Sequence, residues 1–250
     1  MKVLAIDFES TGLLTGEDAI TEIGAVLWDV EKKKPIHLLS LFCWDDYLAS
    51  RMTPETVKMM DELCGLSPET LQRYGKSTTE QINELEALIC VDEPEYICAH
   101  NGENFDRPLL MATLKRLGMQ GAILAQIPWL DTRNDIPFVK EPDSRKLKHL
   151  ALDIGVINHF PHRAVTDVLT MCLVLSNYDI NAVIEYSKIP FITVRMMVEF
   201  NDRQFAKDQR FSWENLGDKK YPKCWVKRIK FNKLAEEQAK AGSFKVVQIE

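Results

Sequence analysis

The sequence predicts an α/β protein: a mixed five-stranded sheet flanked by helices, with a small C-terminal α+β module behind it. Three observations predict this. Up to about residue 178, strand-like and helix-like stretches follow the order βββαβαβαα, the layout of a central sheet with helical layers. At 250 residues and 46% hydrophobic, the chain is long enough to bury a full core. The charge balance also reverses near Pro190: residues 1–189 carry 18 Lys+Arg against 29 Asp+Glu, whereas residues 190–250 carry 13 against 8. The expected boundaries are therefore 1–189 for the α/β domain and 190–250 for a basic accessory module.

The opening stretch MKVLAIDFESTG reads as an apolar strand from residue 2 that ends with Asp7 and Glu9. AITEIGAVLWDV is a second strand, EKKKP a turn and IHLLSLFCW a third strand, together an antiparallel meander. From Asp45 to Lys76 the chain reads as loop with short helices, Pro54 and Pro68 each fitting the first helical position. After Thr78 the periodicity becomes helical, with Ile82, Leu85, Leu88 and Ile89 on one stripe. YICA is a short fourth strand, and a helix from about Asn104 to Leu117 turns Phe105, Leu109, Leu110, Thr113 and Leu117 inward before Gly118. IPWLDT is a fifth strand. Ser144 is the expected N-cap of a helix that stops at Gly155, and a last helix is expected from about His162 to Tyr178. In the tail, FITVRMMVEF alternates as a strand, a short helix follows Asp202, and KCWVKRIKF and FKVVQIE are further strands. The helix KLAEEQAKA is expected to be capped by Asn232.

Composition narrows the function classes. No apolar run approaches the length that spans a bilayer, and the N-terminus lacks the pattern of a signal peptide. The six cysteines, Cys43, Cys64, Cys90, Cys98, Cys172 and Cys224, show no C-x-x-C pair or zinc grouping, so they are expected as reduced thiols of a cytoplasmic protein.

The chemistry-bearing residues are acids. Residues two apart on a strand share a face, so Asp7 and Glu9 project together while Phe8 points the other way. Asp106 opens the helix after the fourth strand, and Asp167 lies five residues after His162. Strand ends and helix starts at one sheet rim converge. Four acids and one histidine suit two-metal phosphoryl chemistry, with hard oxygen ligands for Mg²⁺ or Mn²⁺.

In type, order and spacing, DFESTG, HNGENFD and HRAVTD resemble the three motifs of the DEDDh group of 3′-to-5′ exonucleases, in the ribonuclease H-like superfamily of proofreading subunits and ribonuclease T. AHNGENFDRPLL is especially similar to the second motif of the three-prime repair exonucleases. GLSPETL, Asp131-Thr132 and KLKHLALDIGV also resemble the group, and the resemblance covers roughly residues 1–178. It implies a ribonuclease H-like fold, two Mg²⁺ or Mn²⁺ on Asp7, Glu9, Asp106 and Asp167, and His162 as general base. A tyrosine-branch member would carry Tyr four residues before the last Asp; this chain has Arg163.

The same resemblance implies that the backbone near Ser10, Thr11 and Gly12 holds the terminal nucleotide, with Leu13 or Leu14 under its base and Asn101 and Phe105 shaping the pocket. Thr11 and Gly12 also read as turn formers, and Leu14 and Phe105 as core. His100 reads as structural, and Arg145, Lys146 and Lys148 form a basic helix face. The expected activity is release of nucleoside 5′-monophosphates from nucleic acid 3′ ends, single-stranded DNA favoured and RNA possible. The tail's Lys219, Lys220, Lys223, Lys227, Arg228 and Lys230, interleaved with Tyr221, Trp225 and Phe231, suit equally a nucleic-acid platform, packing or a homodimer contact, and a protein partner.

Overall fold

The structure is a computed structural model that describes residues 1–217 and 223–249; Lys219, Lys220 and Tyr221 lie outside the described residues. Its contacts divide the chain into two units, Met1–Ser187 and Lys188–Glu250.

The first unit runs β1 (Lys2–Ser10), β2 (Ile20–Asp29), β3 (Lys34–Phe42), α1 (Asp46–Ser50), α2 (Pro54–Cys64), α3 (Pro68–Tyr74), α4 (Thr78–Asp92), β4 (Tyr96–Ala99), α5 (Asp106–Arg116), β5 (Trp129–Asp131), α6 (Leu147–Asp153), α7 (Ala164–Leu175) and α8 (Ile180–Ser187). Its five-stranded sheet has the order β3-β2-β1-β4-β5. The first three strands are antiparallel, and β4 and β5 run parallel to β1. This is the mixed five-stranded sheet and α/β layout that the sequence predicts.

Alternation along β1 builds a core on each face of the sheet. Leu4, Ile6 and Phe8 pack with Leu85 of α4 and Leu109 of α5, whereas Val3 and Ala5 pack with Val168, Met171 and Cys172 of α7. Asp7 and Glu9 continue the second of these faces, under α7.

Several local features differ from the sequence expectation. The 45–76 stretch holds the expected short helices, three of them with less loop between than the sequence suggests; Thr53 and Ser67 cap α2 and α3, with Pro54 and Pro68 in the first turn as expected. α6 begins only at Leu147, because the Ser144 hydroxyl accepts the Lys146 N–H instead of capping a helix there. α7 begins at Ala164, since His162 has φ 62°, a left-handed conformation that no helix continues through. α8 was not anticipated; its inward residues Val183 and Ile184 are too few to set a period.

The second unit comprises β6 (Phe191–Met197), α9 (Arg203–Asp208), β7 (Ser212–Glu214), β8 (Cys224–Lys230), α10 (Leu234–Lys240) and β9 (Lys245–Ile249). Its four strands form an antiparallel sheet in the order β7-β8-β6-β9. Val194, Met196, Ala206, Phe211, Trp225 and Ile229 make its core. β6 stops at Met197, so Phe200, the last residue of the expected strand FITVRMMVEF, falls outside it and is exposed. β7, three residues long, was missed; α10 has Lys233 at its N-cap with no side-chain bond, so Asn232 does not cap it. Among the described residues no single helix is long and apolar enough to cross a membrane.

Candidate active site

β1 pairs with β4 only through Val3, Leu4 and Ala5, which leaves the far end of that edge open. The start of α5 fills the gap: the Phe8 N–H donates to Asp106 Oδ1 at 3.1 Å. Asp106 is buried, so one backbone bond fixes it beside the Asp7–Glu9 end of β1.

α7 reaches the same place from above the sheet. Asp7 lies opposite Gly24 of β2, and a Cβ at Gly24 would stand 2.3 Å from the Ala164 carbonyl carbon and 2.4 Å from the Val165 nitrogen. Glycine is therefore what lets the first turn of α7, with Asp167, come down onto the sheet. The two Asp167 oxygens are engaged: Oδ2 accepts the His162 N–H at 2.9 Å, and Oδ1 accepts the Asn158 side-chain amide. The left-handed turn at His162 leaves its ring exposed. Ligand atoms of Glu9, His162 and Asp167 all lie within 4.8 Å of one another.

The electrostatics follow from crowding carboxylates out of water. Asp7 is raised well above the usual carboxylate range, by burial first and then by Asp106, Glu9, Asp167 and Glu22. Asp106 is pushed up to about 7, chiefly by burial, against the pull of the Phe8 N–H and its own helix-start N–H. Glu9 and Asp167 are also raised, burial again leading; the Cys64 thiol, 3.4 Å from Glu9 Oε2, and the His162 N–H on Asp167 oppose it. Four carboxyls whose ionisation is opposed by burial first and by one another second are a site that gains from a divalent cation. Hard oxygens with one imidazole fit Mg²⁺ or Mn²⁺.

The neighbouring loop is organised by Asp18, which the sequence reading did not single out. Its carboxylate accepts the Thr11 hydroxyl at 2.8 Å and the Leu14 N–H at 2.7 Å. The Thr11 N–H donates to the Ala19 carbonyl and the Thr11 hydroxyl accepts the Ala19 N–H, so Thr11 is spent on the turn and has no free donor for a nucleotide. Ser10 Oγ donates to the Gly12 carbonyl at 2.6 Å, and a Cβ at Gly12 would collide with Asp18. Leu13 and Leu14 are 84% and 63% exposed, which rules out the core reading of Leu14.

Asn101 takes a left-handed φ of 68° and donates its N–H to Asp131 Oδ1 at 2.8 Å, so Asp131 sets the turn that precedes Asp106. Phe105 is half-buried at the α5 N-cap. His100 is structural: its Nδ1 lies 2.9 Å from the Thr132 hydroxyl, and burial pushes it down to about 4. Arg145 is tied to Glu141 at 2.6 Å, which removes it from the expected basic face.

Sequence reasoning missed Glu22, Arg163 in its structural role, Gly24 and Asn158. Glu22 carried a signal, an acid inside the apolar run ITEIGAV, and it is fully buried. Asn158 carried none.

A family model described as exonuclease, RNase_T, matches residues 4–175. No curated protein sequence matches the chain. Among solved structures, the zinc-bound Escherichia coli exonuclease I complex with single-stranded DNA is similar with a TM-score of 0.63 and 15% identity, over 99% of this chain and 64% of that one. The E. coli exonuclease I complex with a dT13 oligonucleotide gives 0.62 and 15%, over 99% and 65%. The nuclease domain of 3′hExo, a DEDDh family member bound to rAMP, gives 0.52 and 14%, over 70% and 90%. At these identities the likeness is one of fold, and the chain spans about two thirds of the length of exonuclease I.

Proposed function

The chain belongs to the RNase T exonuclease family, and on that premise we propose that it degrades single-stranded DNA from the 3′ end, releasing nucleoside 5′-monophosphates one at a time. The observation that carries this reading is the convergence of Asp7, Glu9, Asp106 and Asp167 on one sheet end, with His162 in ligand reach of two of them.

Asp7, Glu9, Asp106 and Asp167 would hold two Mg²⁺ or Mn²⁺. Bound cations supply Lewis acidity, lowering the pKa of water and neutralising charge on the phosphoryl oxygens. The chain's own part is to place and move a proton. His162, exposed and fastened at its backbone to Asp167, accepts the proton of the attacking water and passes it to solvent. The water adds in line to the terminal phosphorus, the bond to the 3′ oxygen of the penultimate nucleotide breaks, and the 5′-monophosphate departs. Glu22 is not in the ligand set, because both of its oxygens are taken by Arg163. Leu13 and Leu14 stand free to slide against the terminal base, and Asn101 and Phe105 bound the same end of the sheet.

The similarity of residues 99–110 to the repair exonucleases and the fold match to DNA-bound exonuclease I support DNA as substrate. All six cysteines are free, which supports a reducing compartment such as the cytoplasm. The test is degradation of matched 5′-labelled DNA and RNA single strands with Mg²⁺ or Mn²⁺. A one-nucleotide ladder on DNA, absent in Asp7→Asn, is expected. A faster ladder on RNA would move the substrate to RNA ends, and no mononucleotide from any strand would overturn the reading.

A further inference from the structure

The second unit carries a cavity of about 480 Å³ lined in part by Glu199, Phe200, Arg203, Lys207, Trp213 and Trp225. Its volume falls in the range of about 300–1,000 Å³ typical of small-ligand pockets. Trp213 on the edge strand β7 lies directly across from Trp225 on β8, with ring centroids 5.4 Å apart. The two differ in burial. Trp225 belongs to the core, whereas Trp213 is 56% exposed and Phe200 76% exposed. Aromatic rings serving only as core would be covered; Trp213 and Phe200 leave more than half of their surface to solvent along one cavity. The Arg203 guanidinium sits 4.1 Å over the Phe200 ring, and Lys207 follows one turn later on α9.

The cavity thus offers π-faces, two cations and one acid, Glu199. A ligand that matches it has a flat ring and carries negative charge. We propose that this cavity is a binding site for a nucleotide unit of single-stranded nucleic acid, the base stacking on Trp213 and Phe200 and the phosphate meeting Arg203 and Lys207. The combination of stacking platform and backbone charge is the general solution for single strands. Extended proline-rich peptides also use aromatic grooves, but they bring no charge for the cation pair to meet. The proposal rests on the nucleic-acid reading above only in taking the ligand to be the same class of polymer as the substrate.

The test uses the full chain carrying Asp7→Asn, so that strands bind without being cut, and fluorescence anisotropy of a labelled dT oligomer. Trp213→Ala is expected to weaken binding about tenfold, the effect of one lost base stack, and Trp213→Phe to restore most of it. Arg203→Ala should lower the slope of log affinity against log salt by about one. Affinity and slope unchanged in both variants would overturn the site, as would displacement of the oligomer by a neutral proline-rich peptide. The exonuclease reading is judged separately, on mononucleotide release by the unaltered chain.

Discussion

Arg163 and Glu22 form an ion pair beneath the first turn of α7, with Nε 3.1 Å from Oε2 and Nη2 3.3 Å from Oε1. Glu22 is fully buried and faces Glu9 across the β1–β2 pair. Its oxygens also take the Ser40 hydroxyl at 3.3 Å, and the Arg163 guanidinium lies over the Phe42 ring. Because Arg163 directly follows His162, the pair anchors to β2 the left-handed turn that carries His162 to Glu9 and Asp167. A fifth carboxylate beside the four of the site is thereby paired with a guanidinium and turned to positioning.

Arg163→Met should therefore strand a buried carboxylate. Loss of one partner of a fully buried pair costs about 3–5 kcal/mol; Arg163 is about a third exposed, and screening reduces this to about 2 kcal/mol. Urea midpoints provide the check. The double variant Glu22→Gln/Arg163→Met should recover part of the loss, and a double as unstable as the sum of the two singles would dismiss the coupling.

Gly24→Ala tests the seat of α7. A methyl group there meets Ala164 and Val165 backbone at 2.3–2.4 Å, contacts that only backbone movement relieves. The expected cost is about 1–3 kcal/mol of stability, with a fall in kcat larger than the rise in KM, because Asp167 moves with the helix. Wild-type kcat in a folded Gly24→Ala protein would show that the close approach does not set the site.

Asp7→Asn should separate activity from stability. Removing a central ligand is expected to lower kcat by about 10³-fold or more. Without metal, the same change removes a carboxyl penalised by burial and by repulsion from Asp106, Glu9 and Asp167, so the variant should melt higher than the parent in chelator. A lower melting temperature would mean that Asp7 serves the fold.

The site carboxylates also set a pH signature. Their folded pKa values lie above the ordinary range, with Asp106 at about 7, so between about pH 4 and 7 the metal-free folded state holds more protons than the unfolded one. Their contribution to stability consequently falls as pH rises through that window. A divalent cation needs them ionised and reverses the penalty. The rise in Tm on adding Mg²⁺ or Mn²⁺ should be larger near pH 8 than near pH 5.5, and an equal or opposite ordering in calorimetry would rule out these groups as the ligands.

How much of this was legible depended on whether a residue acts through periodicity or through contact. Strands β1 to β5 followed from short apolar, β-branched runs between turns, the shared face of Asp7 and Glu9 from strand alternation, and Asp106 from its place at a helix start. The short helices α1, α3 and α8 hold too few apolar residues for a period to show. Gly24 and Asn158 are invisible for a different reason: Gly24 matters only because Ala164 of α7, 140 residues on, packs against it, and Asn158 only because Asp167, nine residues on, turns back to meet its amide. Thr11 illustrates the converse. Its type suits a substrate contact, but Asp18 and Ala19 had already claimed its donors.

Leu13 and Leu14 provide the last prediction. Both project from a loop whose base is held by Asp18 through Thr11 and Leu14, so the side chains are exposed while the backbone under them is fixed. Exposed leucines on a fixed backbone pay little for being replaced by serine, and the double variant Leu13→Ser/Leu14→Ser should keep its melting temperature within about 1 °C or 0.5 kcal/mol. If they support the terminal base, the loss of that apolar contact should raise KM on single strands about tenfold and leave kcat nearly unchanged, since the ligand set is untouched. Asp18→Ala should raise KM in the same direction but lower stability as well, because it frees the turn itself. Unchanged KM in the leucine variant together with raised KM in Asp18→Ala would assign the effect to the loop backbone at Ser10–Gly12 rather than to the two side chains.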